Sequence, residues 1–212
     1  MKIGADGADM ERERVWDHTV AQRVALGDIL RGLTPEQWEL PSLCPGWRVR
    51  DVAAHVISSP QLGWRETLRV LPGIRHGYNG MILRDALRRG RATPGEILEQ
   101  FDRFAAVRRG PATTTHVEPL LDVLVHSQDI VRPLGIEHPM PPEAAGVAAD
   151  RARLLRMAGR RLRGLRLVAT DADWARGRGK VVEGPMEELL MLCTGREPRW
   201  DRFSGDGVPV VG

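Results

Sequence analysis

Two short stretches, Thr34-Pro35-Glu36-Gln37 and Thr93-Pro94-Gly95-Glu96, do most to limit the folds open to this chain. Each sets a threonine at an N-cap and a proline at the first helical position, where its missing N–H loses no hydrogen bond. Gln or Glu three residues after the threonine can reach back to the cap. Both stretches therefore predict helix starts, and the second opens a helix with Ile97, Phe101, Phe104 and Ala105 inside. Ahead of the first, Trp16, Val20, Val24, Leu26, Ile29, Leu30 and Leu33 follow helical spacing. Val49, Val52 and Val56 form a second apolar stripe after a loop over residues 41–47. Residues 72–80 read as a loop with an Asn79-Gly80 turn, and Met81 to Arg89 as a helix closed by Gly90. After a loop over 111–115, Pro119 suits the first turn of a helix running to about Ile130, with Leu121 and Val125 inward. Residues 11–132 thus read as four main helices, behind a Gly- and Asp-rich tail (1–10) expected to be disordered.

Pro133, Pro139, Pro141 and Pro142 mark a connector, beyond which the character changes. Residues 144–162 read as helix and 165–170 as strand. Gly177, Gly179 and Gly184 punctuate a hairpin region around Lys180-Val181-Val182-Glu183. Met186, Leu189, Leu190 and Cys193 predict a helix that stops at Gly195, and residues 200–204 a final strand. The expected fold is mostly α: a helical bundle over 11–140, then a small α+β domain over 141–212.

Bulk properties narrow the function. With 42% hydrophobic and 28% charged residues in 212, the chain has the composition of a globular protein. Its apolar runs fall short of a membrane span, and Met1-Lys2-Ile3-Gly4-Ala5-Asp6 lacks the apolar core of a signal peptide, so the expected location is cytoplasmic. Cys44 and Cys193 are too few for a disulfide framework. Of the 31 basic residues only Lys2 and Lys180 are lysine, yet the net charge is only +3. The Arg-rich stretch 151–166 therefore reads as a solvated helix face. Aromatics at 5% provide no stacking platform, so neither nucleic acid nor membrane is expected as a partner.

Asp122 and His126 stand four apart, on one face of a helix and one turn from each other. His55 lies three residues after Val52, on the inward side of its own helix. Two imidazoles and a carboxylate can hold one zinc ion and leave a coordination position open. The same pattern also fits hydrogen-bonded core histidines. An inward Asp122 then needs a cation or strong donors, and an arginine would serve as well as a metal. Asp129, three residues after His126, either orients the imidazole or pairs with Arg132 at the helix end. Cys44 is either a thiol near this site or a buried loop residue, and Cys193 belongs to an apolar stripe. Gly177-Arg178-Gly179-Lys180 lacks the spacing of a phosphate loop. His18, His76, His116 and His138 read as surface or loop residues.

Residues 43–55, Leu-Cys-Pro-Gly-Trp-Arg-Val-Arg-Asp-Val-Ala-Ala-His, resemble the N-terminal signature of the mycothiol-dependent maleylpyruvate isomerase family within the DinB-like superfamily. So does the stretch from His126 to Gly135. The tail, with Asp173-Trp174-Ala175-Arg176-Gly177, Gly184-Pro185 and Leu190 to Arg196, resembles that family's C-terminal α+β domain. The resemblance implies a DinB-like four-helix bundle holding a divalent metal, usually zinc, through His55, Asp122 and His126; the family usually has Glu where Asp122 stands. It implies an enzyme that uses a low-molecular-weight thiol, mycothiol, to isomerise or conjugate a small electrophile. Asp129 and Arg196 are the candidates for catalytic roles, Arg196 by matching an Arg of the family's tail. The alternative is a non-catalytic metal-binding module, a stress-linked sensor or carrier, which the Asp122 substitution favours. A bundle that has lost its metal is the third reading.

Overall fold

The structure, a computed structural model, describes residues 5–62, 77–111 and 114–208. The chain divides into two compact units, Met1–His138 and Pro139–Gly212. The first contains helices α1 (Ala5–Arg31), α2 (Pro35–Glu39), α3 (Val49–Ser58), α4 (Gly77–Arg89), α5 (Pro94–Phe104) and α6 (Glu118–Val131). The second contains α7 (Pro142–Leu154), β1 (Leu165–Ala169), β2 (Ala175–Gly177), β3 (Lys180–Gly184) and α8 (Met186–Cys193). Among the described residues, no helix is long and apolar enough to cross a membrane.

Both Thr-Pro signals form complete capping boxes, Thr34 with Gln37 at the start of α2 and Thr93 with Glu96 at the start of α5. Helix α3 begins in a related way without a hydroxyl: Asp51, in its first turn, accepts from the Arg48 backbone N–H at 2.9 Å and from its Nε at 3.0 Å. Val49, Val52 and Val56 are fully buried, and α3 packs against α4, α5 and α6 while α1 packs against α5 and α6. The core of the first unit therefore surrounds α3, the helix that carries His55.

Several expectations are corrected. Helix α1 already starts at Ala5, inside the segment expected to be disordered. Its buried face is Val15, Trp16, Thr19, Gln22, Arg23, Leu26 and Leu30, whereas Val24 is 45% exposed. The inner face is partly polar, so an apolar pattern misplaces it by about one residue. Asn79 and Gly80 do not make a turn but lie in the first turn of α4. There the backbone N–H groups have no intrahelical acceptor, and helix-breaking residues do least harm. Residues 72–76 of that expected loop, including His76, fall outside the described residues.

In the second unit α7 ends at Leu154, not at 162. Leu154, Leu155 and Met157 are exposed, so continuing the helix would bury no apolar stripe, and Arg156 (φ 54°) and Gly159 (φ 59°) turn the chain back. The sheet has the order β2-β1-β3, with β1–β2 antiparallel and β1–β3 parallel. β2 and β3 therefore do not form the expected hairpin. Gly177 and Gly179 adopt positive φ where a Cβ would stand 2.3 Å from the Leu165 carbonyl oxygen and 2.0 Å from that of Gly164, and there the chain crosses to the other edge. Helix α8 packs on α7, and Gly195 (φ 79°) follows it as expected. The final strand reduces to a 3₁₀ turn, Trp200–Arg202, and one bridge between Glu183 and Ser204.

Candidate metal centre

Three pieces of chain converge at the C-terminal half of α6. The first is α6 itself, which presents Asp122, His126 and Asp129 on successive turns of one side. The second is α3, which brings in His55. The third is the 41–47 loop, tied to α6 where the Leu43 N–H donates to the Asp129 carbonyl at 3.0 Å. Within that loop Gly46 (φ 81°) makes the turn that lets the Trp47 N–H donate to the Cys44 carbonyl at 3.0 Å.

Asp122 Oδ1 lies 3.2 Å from His55 Nε2 and 3.5 Å from His126 Nε2. Donors about 2.0–2.1 Å from a tetrahedral zinc ion stand about 3.3 Å apart. The observed spacing thus fits one small divalent cation, and His55, Asp122 and His126 are the residues that could hold it. The shorter aspartate side chain reaches both imidazoles. Asp122 is 27% exposed, His55 18% and His126 14%, so the cluster opens to solvent on the aspartate's side.

Behind it the site is closed. Asp129 has no exposed side-chain surface and accepts the His126 Nδ1–H at 2.8 Å, which fixes the tautomer that leaves the Nε2 lone pair facing Asp122. The Cys44 thiol donates to the same Asp129 oxygen at 3.1 Å and lies 3.5 Å from His126 Nδ1. Trp47 stacks on the His126 ring (centroids 5.9 Å apart) and meets His55 edge-on at 5.1 Å, walling off one side.

Burial pushes the Asp122 carboxyl up, but the His55 charge and hydrogen bond, with His126 and Arg23 beyond, outweigh it and leave its pKa below the ordinary value. Arg23 on α1 is 1% exposed, and burial lowers its pKa to about 10 against the opposing pull of Asp122. It donates to the Val107 carbonyl (3.1 Å) and to Ser59 Oγ (3.4 Å), while its Nε has no partner. The inward carboxylate thus meets both kinds of compensation expected for it, imidazoles in contact and an arginine at longer range.

The structure brings His55, Asp122, His126 and Asp129 together, places the Cys44 thiol beside them, and adds Trp47 and Arg23. Arg196 belongs to the second unit, half-buried just past α8, where its N–H donates to the Met191 carbonyl at 3.0 Å. His138 departs from a plain surface residue: its Nε2 is buried without a partner, and burial lowers its pKa.

By fold the chain is a helical unit followed in sequence by a small α+β unit. Residues 20–105 match the family model for the mycothiol maleylpyruvate isomerase N-terminal domain. The whole chain is similar in fold to the crystal structure of the mycothiol-dependent maleylpyruvate isomerase, with 14% identity, a TM-score of 0.63, and coverage of 93% of this chain and 92% of that one. A histidine-to-alanine mutant of that isomerase matches with 13% identity, a TM-score of 0.62 and the same coverage. No curated protein matches the chain in sequence.

Proposed function

We propose that this protein is a metal-dependent enzyme that uses a low-molecular-weight thiol, mycothiol, to isomerise or conjugate a small electrophile. One observation carries the reading: His55, Asp122 and His126 converge at ligand spacing, in a bundle whose family model is named for a mycothiol-dependent isomerase. Two nitrogens and one oxygen suit zinc, which when bound would favour the thiolate form of the cosubstrate near neutral pH and leave a coordination position for it. Asp129 is a positioning residue: it holds the His126 Nδ1–H and so aims Nε2. Trp47 keeps water from one flank of both imidazoles. Arg196 takes the role of binding a substrate carboxylate. Addition of the thiol to a cis double bond leaves a single bond free to rotate. Expelling the thiol then completes an isomerisation, and retaining it gives a conjugate.

The test is elemental analysis of purified wild type beside Asp122→Ala, followed by thiol-dependent turnover of maleylpyruvate and a panel of electrophiles. The expected result is about one zinc per chain, lost in the variant, and consumption of an electrophile only with mycothiol present. Bound metal with no thiol-dependent turnover would support the non-catalytic module. Absence of metal after reconstitution would sink both.

A further inference from the structure

The turns between α7 and β1 line an open hollow of about 160 Å³ within the second unit. Three arginines line it, Arg153, Arg156 and Arg163, with Met157 and Leu162 as an apolar wall and no acidic residue in the lining. Arg156 and Arg163 are exposed at its mouth. Arg153 is fixed beneath them, its guanidinium 6.0 Å from the Trp174 ring centre. Its Nη1 is buried and has no hydrogen-bond partner. A guanidinium N–H rarely stays buried and unpaired, because its strong donors lose their water without replacement.

The nearby groups do not supply the missing acceptor. Asp150 is engaged elsewhere: Oδ1 accepts from Trp174 Nε1 at 3.2 Å and Arg176 Nε at 2.7 Å, and Oδ2 accepts from Arg176 Nη2 at 2.7 Å. Cys193, which feels the Arg153 charge, is a buried thiol whose pKa is pushed up to about 12, so it stays neutral. Residues 151–166 contain seven arginines and no Asp or Glu, and Glu197 pairs with Arg161. The hollow is therefore basic and partly apolar, with no acidic residue to neutralise its arginines.

We propose that it binds the anionic end, a carboxylate or a phosphate, of a small organic molecule. Guanidinium forks grip both groups through paired, charge-assisted hydrogen bonds. The volume corresponds to roughly five waters at about 30 Å³ each, which suits one such group and a short carbon stem against Met157 and Leu162. This site is independent of the metal centre and of the reaction proposed for it.

The experiment is an NMR titration of the full chain at constant ionic strength, with chloride as balancing anion. Inorganic phosphate, acetate and hexanoate are added separately, and the amides of residues 156–163 are followed, so that phosphate meeting a metal elsewhere does not register. Saturable shifts are expected with at least one probe, weakened about tenfold by Arg163→Gln or Arg156→Gln. Arg153→Met should abolish them. Because Arg153 packs on Trp174, the two exposed variants carry the test if Arg153→Met does not fold. Phosphate alone saturating would assign a phosphoryl group; hexanoate binding more tightly than acetate would assign a carboxylate with a stem. Shifts that merely follow salt, or equal binding by both exposed variants and wild type, would overturn the proposal.

Discussion

His126 is held at one ring nitrogen and aimed by the other. Asp129 accepts from Nδ1, and Nε2 stands 3.5 Å from Asp122 Oδ1. Removing the first contact should therefore be felt at the second. Asp129→Ala is expected to lower zinc affinity about 10–100-fold in a chelator competition, with helical content unchanged. Affinity equal to wild type would mean that the imidazole is positioned by Trp47 and packing alone. At this scale the sequence was informative where spacing encodes geometry. Asp122 and His126 are one helical turn apart, and His55 follows an apolar stripe, so their convergence needed only two helices to pack. Cys44 was open as a neighbour of the site, whereas Trp47 and Arg23 were not legible as neighbours. Cys44 and Trp47 arrive through a loop whose path is set by one backbone bond from Leu43 to Asp129, 86 residues apart, a contact that no periodicity reports. Arg23 lies on a helix face that an apolar count assigns to solvent, yet it is buried, with Val107 and Ser59 as acceptors and the Asp122 charge in range.

Helix α3 reaches its place by a close approach to the end of α4. A Cβ built on Gly90 would fall 1.9 Å from Asp51 Oδ1 and 2.9 Å from its Cα, so Gly90 is needed for contact between the helices. Read from sequence, Gly90 was a helix stop; its packing role depends on a partner residue far along the chain. Asp51 is itself fully buried and anchors Arg48 at the start of α3. Gly90→Ala should force α3 and α4 apart and destabilise the protein by about 1–3 kcal/mol in denaturant melts. Gly95→Ala, in the first turn of α5 with nothing within 4 Å, should be neutral or stabilising by up to about 1 kcal/mol. If the two variants melted alike, the contact between Gly90 and Asp51 would carry no weight. The contrast also shows why helices were read from sequence more faithfully than the sheet. Capping boxes at Thr34 and Thr93 are closed within four residues. The order β2-β1-β3 depends instead on the close approach of Gly177 and Gly179 to the backbone of Gly164 and Leu165 at the start of β1.

Across the whole molecule, ligand binding and proton binding should both appear in stability. A metal held only by the folded chain adds RT ln(1 + [L]/Kd), about 2.7 kcal/mol at a hundredfold excess over Kd, which for a chain of this size raises Tm by roughly 5–11 °C. Chelation should remove that increment from wild type and change nothing in a His55→Ala, His126→Ala double variant. Acidification should act in the same direction through two routes. Protons compete with metal for the two imidazoles, so the increment fades as pH falls through the histidine range. His138 contributes separately: burial holds its pKa below the ordinary 6.5, so its neutral form is favoured in the folded state. That contribution is fully present above pH 6.5 and is lost as pH falls through the lowered value, because the unfolded chain then binds the proton more readily. Melts between pH 7.5 and 5 in chelator should therefore show a residual loss of stability that His138→Gln reduces, while the metal-dependent difference between chelated and loaded protein persists in that variant. An unchanged slope in His138→Gln would place the acid sensitivity elsewhere. Loss of the metal-dependent difference would instead tie His138 to the centre at His55, Asp122 and His126.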